Sequence, residues 1–532
     1  MIVIIPILVI LVGVAMLLRR QYMAHRKQEG PPVVANGQTY SEVIESKPAC
    51  VAETNRVGDV RQCCIIGAGR VGATTGIVLA SNNPEIQFRI VDTNERLITA
   101  WTSHRPPITD PGLEDILFDD ECLALEQPAN DATVTLPLKD VPEVRRRQKL
   151  QNLSFSSDVH DAVEAAQVVF LCVEMGEFDQ SFAYLDPILE TIAAASKGPK
   201  ILVQRSSSPY GMVRHIIERL ESLTPGIHHT ILTIPWPSLS LSAFAGHALS
   251  SPLSEPRVII GHIYSPSSRP EDIDALKRLY TPFVPAERIV TMDAYSAELG
   301  QMGQTAMLAH QIGAMASLGV LSEKCEASTG AVGWMLGFDT AAVEDSVCGS
   351  SGLGGLGVGG GFRGVGSEVM CLVSLAKELG MEEVAEYWGS LLKMQEFLVR
   401  RAVKGLVQQL ETDEAAKKAA ITITVLGFDD EGEMGTIVVK ELRSAGLNVK
   451  SLGDGVLKNR VERELGDGIE VVESIEAACL GSSGVVLLGA TATRASTEAW
   501  QEVVRGMRQK KLLTLGGRLD GVKMKQLGFE VV

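Results

Sequence analysis

The sequence lacks the features that mark nucleic-acid-binding, metal-binding and disulfide-rich proteins. Its formal net charge is −16, and this argues against a phosphate-backbone partner because such surfaces need clustered lysines and arginines. Its nine cysteines are scattered, without a CxxC pair or a Cys/His cluster at metal-ligand spacing. We therefore expect no nucleic-acid partner, no metal site and no disulfide framework, and a reducing compartment is the default.

Charge is also missing from the N-terminus. Residues 2–18 form an uncharged run that is just long enough to span a bilayer as a helix. No lysine or arginine precedes this run, whereas Arg19 and Arg20 follow it, so we expect a retained single-pass anchor over residues 1–20 with the bulk of the chain cytosolic. The endoplasmic reticulum and the mitochondrial outer membrane both fit. Residues 21–60, rich in Gly, Pro, Ser and Glu, predict a linker.

The strongest local signal is a glycine turn within residues 61–92. A short apolar run at residues 63–66 leads directly into GAGRVG, and a second apolar run at residues 86–91 ends at Asp92. In a strand-turn-helix unit such glycines permit a tight bend and the close approach of a pyrophosphate, which the helix N-terminus stabilises. An acid 20 residues after Gly72 suits the ribose hydroxyls of NAD and repels the 2′-phosphate of NADP. The residues expected to bind NAD are Gly67, Gly69, Arg70, Val71, Gly72 and Asp92.

Alternating apolar and helix-like segments predict an α/β protein with three folded parts. The first is a Rossmann-like NAD-binding domain over residues 61–285. Residues 286–412 form a central helical region, with long helical patterns at residues 297–322 and 382–410. Residues 413–532 repeat the alternation and predict a second, smaller α/β domain.

The order of the motifs resembles the UDP-glucose 6-dehydrogenase family, within the UDP-glucose/GDP-mannose dehydrogenase superfamily. The motifs are CCIIGAGRVGATTG, IVDTNERLITAWTS, ITDPGLEDIL, SSDVHDAVEAAQVVFLCV, PRVIIG and YSAELGQMGQTAMLAHQIGAMASL. The resemblance implies an N-terminal NAD domain, a helical dimerisation region and a C-terminal domain for uridine diphosphate. It also implies a homo-oligomer with a nucleotide-sugar substrate. Members of that family oxidise the sugar C6 alcohol to an acid in two hydride transfers to NAD.

The chain departs from this family at its catalytic positions. In the family, a cysteine within GFGGSCFxKD traps the aldehyde intermediate as a thiohemiacetal. Alignment through the following segment EVMCLVSLA puts Gly364 at the cysteine, Ser367 at the lysine and Glu368 at the aspartate. The family's TEKST segment corresponds to residues 203–207, with Gln204 as its second residue. The resemblance thus implies that the nucleophile is absent.

Other family contacts are also replaced. The lysine and asparagine of the helical middle become Gln301 and Thr305, and an arginine that reaches the partner subunit's nucleotide becomes Gln311. A further lysine falls near Ser250, in a rewritten segment. Arg518 alone matches, in the family's DGR motif, so we expect a substrate contact there.

Two cysteines could replace the missing thiol if the glycine-rich segment at residues 349–366 is shifted. Cys348 precedes that segment, and Cys371 lies about one helical turn after Glu368. No lysine or histidine stands beside either cysteine to lower the pKa of its thiol. This favours small buried side chains at both positions.

These observations lead to one functional hypothesis and two alternatives. We expect a membrane-anchored relative that binds NAD and has lost or altered the four-electron oxidation of UDP-glucose to UDP-glucuronate, which would make it a pseudoenzyme. The first alternative is an active NAD-dependent UDP-glucose 6-dehydrogenase. The second is a two-electron dehydrogenase on another substrate, for which Glu174, Glu177 or Glu368 could serve as the base.

Overall fold

A computed structural model gives the fold of the chain within residues Val57–Val532. The described residues are 59–103, 107, 113–120, 146–173, 181–235, 257–263, 269–336, 365–411, 421–428, 432–453, 465–466, 469–488, 497–515 and 521–532. The predicted anchor, the linker as far as residue 58, Glu174, Glu177, Ser250, Cys348, Gly364 and Arg518 lie outside them. Among the described helices, none combines the length and the apolar character needed to cross a bilayer.

The first domain is built on an eight-stranded sheet and a separate two-stranded pair. The strands are β1 (Gln62–Ile66), β2 (Gln87–Val91), β3 (Phe118–Asp120), β4 (Arg146–Gln148), β5 (Leu153–Ser156), β6 (Val168–Leu171), β7 (Ile201–Gln204), β8 (Thr230–Thr233), β9 (Val258–His262) and β10 (Ile289–Asp293). The large sheet has the order β10-β9-β8-β7-β6-β1-β2-β5, while β3 and β4 pair with each other. Apart from the antiparallel pair β8–β9, the large sheet is parallel. The chain thus has the Rossmann-like α/β fold predicted from its alternating pattern.

Helices cover both faces of this sheet. They are α1 (Arg70–Asn82), α2 (Glu95–Thr102), α3 (Leu113–Leu117), α4 (Val159–Ala165), α5 (Asp186–Ala195), α6 (Met212–Leu223) and α7 (Pro270–Tyr280). Successive strand side chains point to opposite faces, so Ile65 and Val203 enter one core while Cys64 and Leu202 enter the other. Asn94 caps the N-terminus of α2 by accepting a hydrogen bond from the Leu97 N–H group.

Four helices of the central region lie within the described residues. They are α8 (Ala294–Lys324), α9 (Thr329–Met335), α10 (Val365–Glu378) and α11 (Glu382–Glu411). This confirms the two predicted long helices. Helix α8 starts directly after β10, and Asp293 caps it by accepting a hydrogen bond from the Ser296 N–H group at 2.8 Å. Small buried residues of α8, such as Ala306, form a core with α10 and α11.

The last domain has a second sheet with six parallel strands. These are β11 (Thr422–Leu426), β12 (Asn448–Leu452), β13 (Ile469–Val472), β14 (Gly484–Leu487), β15 (Lys511–Thr514) and β16 (Glu530–Val531), and their order is β13-β12-β11-β14-β15-β16. The helices are α12 (Gly432–Ser444), α13 (Ile475–Cys479), α14 (Thr497–Gly506) and α15 (Gly521–Gln526). Leu398 and Leu406 of α11 share a core with Ile423 and Val425 of β11, so α11 also belongs to the packing of this domain.

Candidate active site

The glycine turn lies where the order of the large sheet reverses. Strand β1 pairs with β2 on one side and with β6 on the other, and α1 starts just after the turn. Gly67 has a φ of +105°, and a Cβ atom on it would lie 2.3 Å from the carbonyl oxygen of Cys172. A Cβ atom on Gly72 would lie 1.8 Å from the carbonyl oxygen of Gly67. Only glycine fits at these two positions. The crevice above a glycine turn of this kind is where α/β sheets bind dinucleotides.

Asp92 is attached to the same turn. Its Oδ2 atom accepts a hydrogen bond from the Ala68 N–H group at 2.9 Å, and its Oδ1 atom accepts one from the Asn94 N–H group at 2.9 Å. The carboxylate therefore stands at the carboxyl end of β2, next to the glycine turn. This is the relative position that the spacing in the sequence predicts for a ribose-binding acid.

Trp101 also supports the glycine turn, through a contact that the sequence motifs do not predict. Its Nε1–H group donates a hydrogen bond to the carbonyl oxygen of Ala68 at 2.8 Å. The indole ring is buried and stacks on Phe155 with 5.3 Å between the ring centroids. Together with Asp92 it fixes both backbone groups of Ala68. The only signal in the sequence was a tryptophan on the helix that follows the acid.

A buried polar cluster, made of Ser207, Gln301, Thr305 and Glu368, lies where the loop after β7 meets α8 and α10. Ser207 Oγ donates a hydrogen bond to Glu368 Oε1. Burial raises the pKa of Glu368, while Ser207, Thr305 and Gln301 beside the carboxyl partly oppose that rise. Within the described part of the chain, Glu368 Oε2, Gln301 Nε2 and Thr305 Oγ1 have no well-aligned hydrogen-bond partner.

Gln204 lies three residues before Ser207, and its side-chain amide makes a separate set of hydrogen bonds. Its Oε1 atom accepts a hydrogen bond from Thr233 Oγ1 at 2.8 Å, and its Nε2 atom donates to Ser208 Oγ at 3.0 Å and to the carbonyl oxygen of Ser206. These bonds join the end of β7 to β8. Gln204 cannot act as a base, because a neutral amide does not accept a proton at ordinary pH.

Cys371 lies on α10, one helical turn after Glu368. Burial, and to a smaller extent the neighbouring Glu368, raise the pKa of its thiol to about 12. At neutral pH the side chain is therefore a thiol, whereas the nucleophile in covalent catalysis is a thiolate. No group of three or more His, Cys, Asp or Glu side chains with metal-binding geometry occurs among the described residues.

The glycine turn and the sheet that carries it match a known domain. Residues 61–131 and 138–284 match the NAD binding domain of the UDP-glucose/GDP-mannose dehydrogenase family. Residues 61–284 thus carry the NAD binding domain of this family. It is 27% identical over 511 residues to UDP-glucose 6-dehydrogenase 4 of Oryza sativa subsp. japonica, which covers 89% of this chain and 96% of that protein. It is 28% identical over 379 residues to the UDP-glucose 6-dehydrogenase of Rattus norvegicus, which covers 70% and 68%.

Solved structures share the fold of this chain. A UDP-glucose dehydrogenase from Pyrobaculum islandicum has a TM-score of 0.57 at 19% identity, covering 91% of this chain and 100% of that structure. A UDP-D-ManNAc dehydrogenase from Pyrococcus horikoshii has a TM-score of 0.52 at 17% identity, covering 86% and 96%. These likenesses extend over the NAD-binding domain, the central helices and the last domain.

NAD is the cofactor of this NAD-binding domain, and the residues around the turn fit it. Gly67 and Gly72 allow the turn to pack closely against Cys172 and against its own backbone, and α1 begins directly after Gly69. A helix N-terminus that follows such a turn is suited to bind a pyrophosphate. The structure brings these glycines together with Asp92, as the sequence predicts. Arg70 is exposed and Val71 half-buried in the first turn of α1. Direct contacts of each of these residues with NAD stay predictions.

The family positions on the central helices also meet at one place. Gln301, Thr305 and Glu368 come from α8 and α10 and lie in the polar cluster, whereas Gln311 lies further along α8. Ser367 precedes Glu368 on α10 and is half-buried. Ser207, which the sequence analysis considered only as part of a replaced segment, is the hydrogen-bond partner of Glu368.

Proposed function

We propose that this member of the nucleotide-sugar dehydrogenase family binds NAD at the glycine turn and does not perform the four-electron oxidation of UDP-glucose. Four-electron oxidation through a thiohemiacetal needs a thiolate, and the sequence has Gly364 where the family cysteine is expected. The observation that carries the proposal is the burial of Cys371 on α10, which raises the pKa of its thiol and so disfavours the thiolate. Cys371 is the cysteine nearest to the polar cluster in the described part of α10, and it is not activated.

A two-electron oxidation of an alcohol is the second candidate, and the hydrogen bond between Ser207 and Glu368 favours it. In a bound NAD molecule, the adenosine ribose would lie at Asp92, directly after β2, and the pyrophosphate would cross the glycine turn between β1 and β6. The nicotinamide end would then point toward β6 and β7. Ser207 follows β7 at that edge. Burial raises the pKa of the Glu368 carboxyl and so makes its carboxylate a stronger base. This carboxylate accepts the proton of the alcohol through the Ser207 hydroxyl, while the hydride goes to NAD.

Steady-state and binding measurements on the full-length chain test the proposal. The chain is incubated with NAD and UDP-glucose, NADH is followed by absorbance, and NAD binding is measured by calorimetry. We expect NAD binding without formation of two NADH per UDP-glucose consumed. Two NADH per sugar would overturn the proposal, and no binding of NAD would overturn its cofactor part.

A panel of alcohols separates the second candidate from the first. One NADH per molecule of alcohol, with an aldehyde or ketone trapped by hydroxylamine, supports two-electron oxidation. Glu368→Gln should then abolish turnover while leaving NAD affinity within twofold. Cys371→Ser should leave both quantities unchanged, because the thiol has no role in this reaction. If Glu368→Gln turns over at the rate of the unsubstituted chain, the carboxyl is not the base.

The membrane anchor and the nucleotide-sugar partner are further parts of the proposal. The uncharged run at residues 2–18, followed by Arg19 and Arg20, supports an anchor that leaves the bulk of the chain in the cytosol. Deletion of residues 1–20 should move the expressed chain from the carbonate-resistant membrane fraction to the supernatant. Recovery of the unaltered chain in the supernatant would contradict the anchor. The relatives named as UDP-glucose 6-dehydrogenases support a nucleotide sugar as the second ligand.

A further inference from the structure

We propose that Arg205 is a positioning residue for NAD, which holds the first turn of α1 in its binding geometry through the hydroxyl of Thr75. The inference rests on the proposed binding of NAD at the glycine turn. Arg205 follows β7 directly and has 1% of its surface exposed. A charged side chain is rarely buried to this extent unless its surroundings use it.

A continuous hydrogen-bond chain leads from Arg205 to the cofactor helix. The Nε–H group of Arg205 donates to Thr75 Oγ1 at 2.8 Å. The Thr75 hydroxyl in turn donates to the carbonyl oxygen of Val71 at 2.6 Å. Each group in this chain is used in its proper direction, since a hydroxyl can accept one bond while it donates another.

The end of the chain, Val71, belongs to the turn of α1 whose backbone N–H groups face the pyrophosphate space. A hydroxyl bonded only to the carbonyl four residues earlier can rotate away, and helix ends fray. The guanidinium removes that freedom because it fixes the threonine rotamer from the sheet side. The backbone N–H group of Arg205 is itself bonded to the carbonyl oxygen of Leu171 at 3.0 Å, so the anchor point is rigid.

Arg205 also reaches the opposite wall of the crevice. Its positive charge acts against the effect of burial on the pKa of Cys172, which places the guanidinium beside that residue. The carbonyl oxygen of Cys172 is the atom that a Cβ atom on Gly67 would meet first. The guanidinium carbon lies 5.9 Å from the ring centroid of Tyr280 on α7. One buried side chain thus connects α1, the end of β6 and α7 beneath the glycine turn.

Calorimetric titration of the full-length chain with NAD tests the role of this chain of bonds. We compare Thr75→Val, which keeps the shape and removes the hydroxyl, with Thr75→Ser, which keeps the hydroxyl. We expect Thr75→Val to weaken NAD binding about tenfold, as the loss of one net hydrogen bond would, and Thr75→Ser to restore most of it. The matched control is Thr191→Val on α5, because Thr191 makes the same bond to the carbonyl oxygen four residues earlier.

A double variant tests whether Arg205 and Thr75 affect NAD binding as one unit. Arg205→Met removes both the charge and the donor, and combined with Thr75→Val it should weaken binding no further than the more severe single substitution. Equal NAD affinity for Thr75→Val and the unsubstituted chain would overturn the proposal, as would additive losses in the double variant. A purely structural role predicts a lower unfolding temperature with the NAD affinity of the folded molecules unchanged. Failure of the unsubstituted chain to bind NAD would instead contradict the proposed function.

Discussion

At the scale of single residues, Asp92 is the side chain that combines local order with cofactor choice. It binds the N–H groups of Ala68 and Asn94, and a ribose would be recognised by the same carboxylate. We expect Asp92→Ala to weaken NAD binding about ten- to hundredfold, because charge-assisted hydrogen bonds contribute about 1.5–3 kcal/mol. Calorimetry measures this, with the exposed Glu85→Ala as control. Unchanged affinity for NAD would show that the acid does not contact the ribose.

Glu368 makes stability depend on pH in a defined direction. The folded state raises the pKa of this carboxyl above its ordinary value of 4.5, so the unfolded chain loses the proton first as pH rises. Native stability therefore falls with rising pH, from about pH 4.5 up to the pKa of the folded state. We expect Glu368→Gln to raise the unfolding temperature, and the gain to grow with pH over this window. Exposed Glu378→Gln is the control, and parallel curves for Glu368→Gln and the unsubstituted chain would contradict the expectation.

At the scale of elements, the same turn geometry appears in both sheets. Gly427 follows β11 with a φ of +84°, and a Cβ atom on it would lie 1.8 Å from the carbonyl oxygen of Leu488. Gly67 stands in the same relation to Cys172 after β1. In each domain, the glycine after the first strand packs against a backbone carbonyl at the end of a neighbouring strand. That neighbour is β6 in the first sheet and β14 in the second. The chain thus builds two crevices of one type, and NAD is proposed for the first.

Two helical glycines with opposite surroundings test this geometry. A Cβ atom on Gly72 would lie 1.8 Å from the backbone of the turn, whereas one on Gly300 of α8 would meet open space. We expect Gly72→Ala to cost at least about 2 kcal/mol of unfolding free energy. Gly300→Ala should stabilise α8 by roughly 0.5–1 kcal/mol because alanine favours the helix. Denaturant unfolding measures both, and equal stability of the two variants would contradict the packing of the turn.

At the scale of the whole molecule, α8 exposes an apolar stripe that favours self-association. Leu299, Met307 and Leu321 are 45%, 49% and 58% exposed, and at 3.6 residues per turn they fall within about 80° of the helix circumference. Such a stripe along a helix of 31 residues is suited to cover its equivalent on a second copy. The homo-oligomer predicted from the sequence therefore has a candidate surface.

Light scattering coupled to gel filtration tests this surface. We expect Met307→Asp to shift the full-length chain from a dimer toward a monomer, because a buried unpaired carboxylate is costly in an interface. Exposed Gln304→Asp adds the same charge about 60° outside the stripe and should leave the dimer intact. A monomeric unsubstituted chain would rule out the proposed self-association. A dimer that tolerates Met307→Asp would place the interface elsewhere.

The sequence by itself determined the features that arise from local chemistry. Short apolar runs predicted strands β1 and β2, and long helical patterns predicted α8 and α11. The spacing from Gly72 to Asp92 predicted a turn and an acid that the structure places together. These are reliable because backbone conformation and burial pattern depend on residues close in the chain.

Only the tertiary structure decided which distant side chains meet. Ser207 and Glu368 are 161 residues apart, and Thr75 and Arg205 are 130 apart. The antiparallel pairing of β8 with β9 and the bond from Trp101 to Ala68 likewise had no local signal. A side-chain hydrogen bond depends on atoms brought together by the packing of separate elements, and no periodicity or spacing in the sequence encodes that geometry.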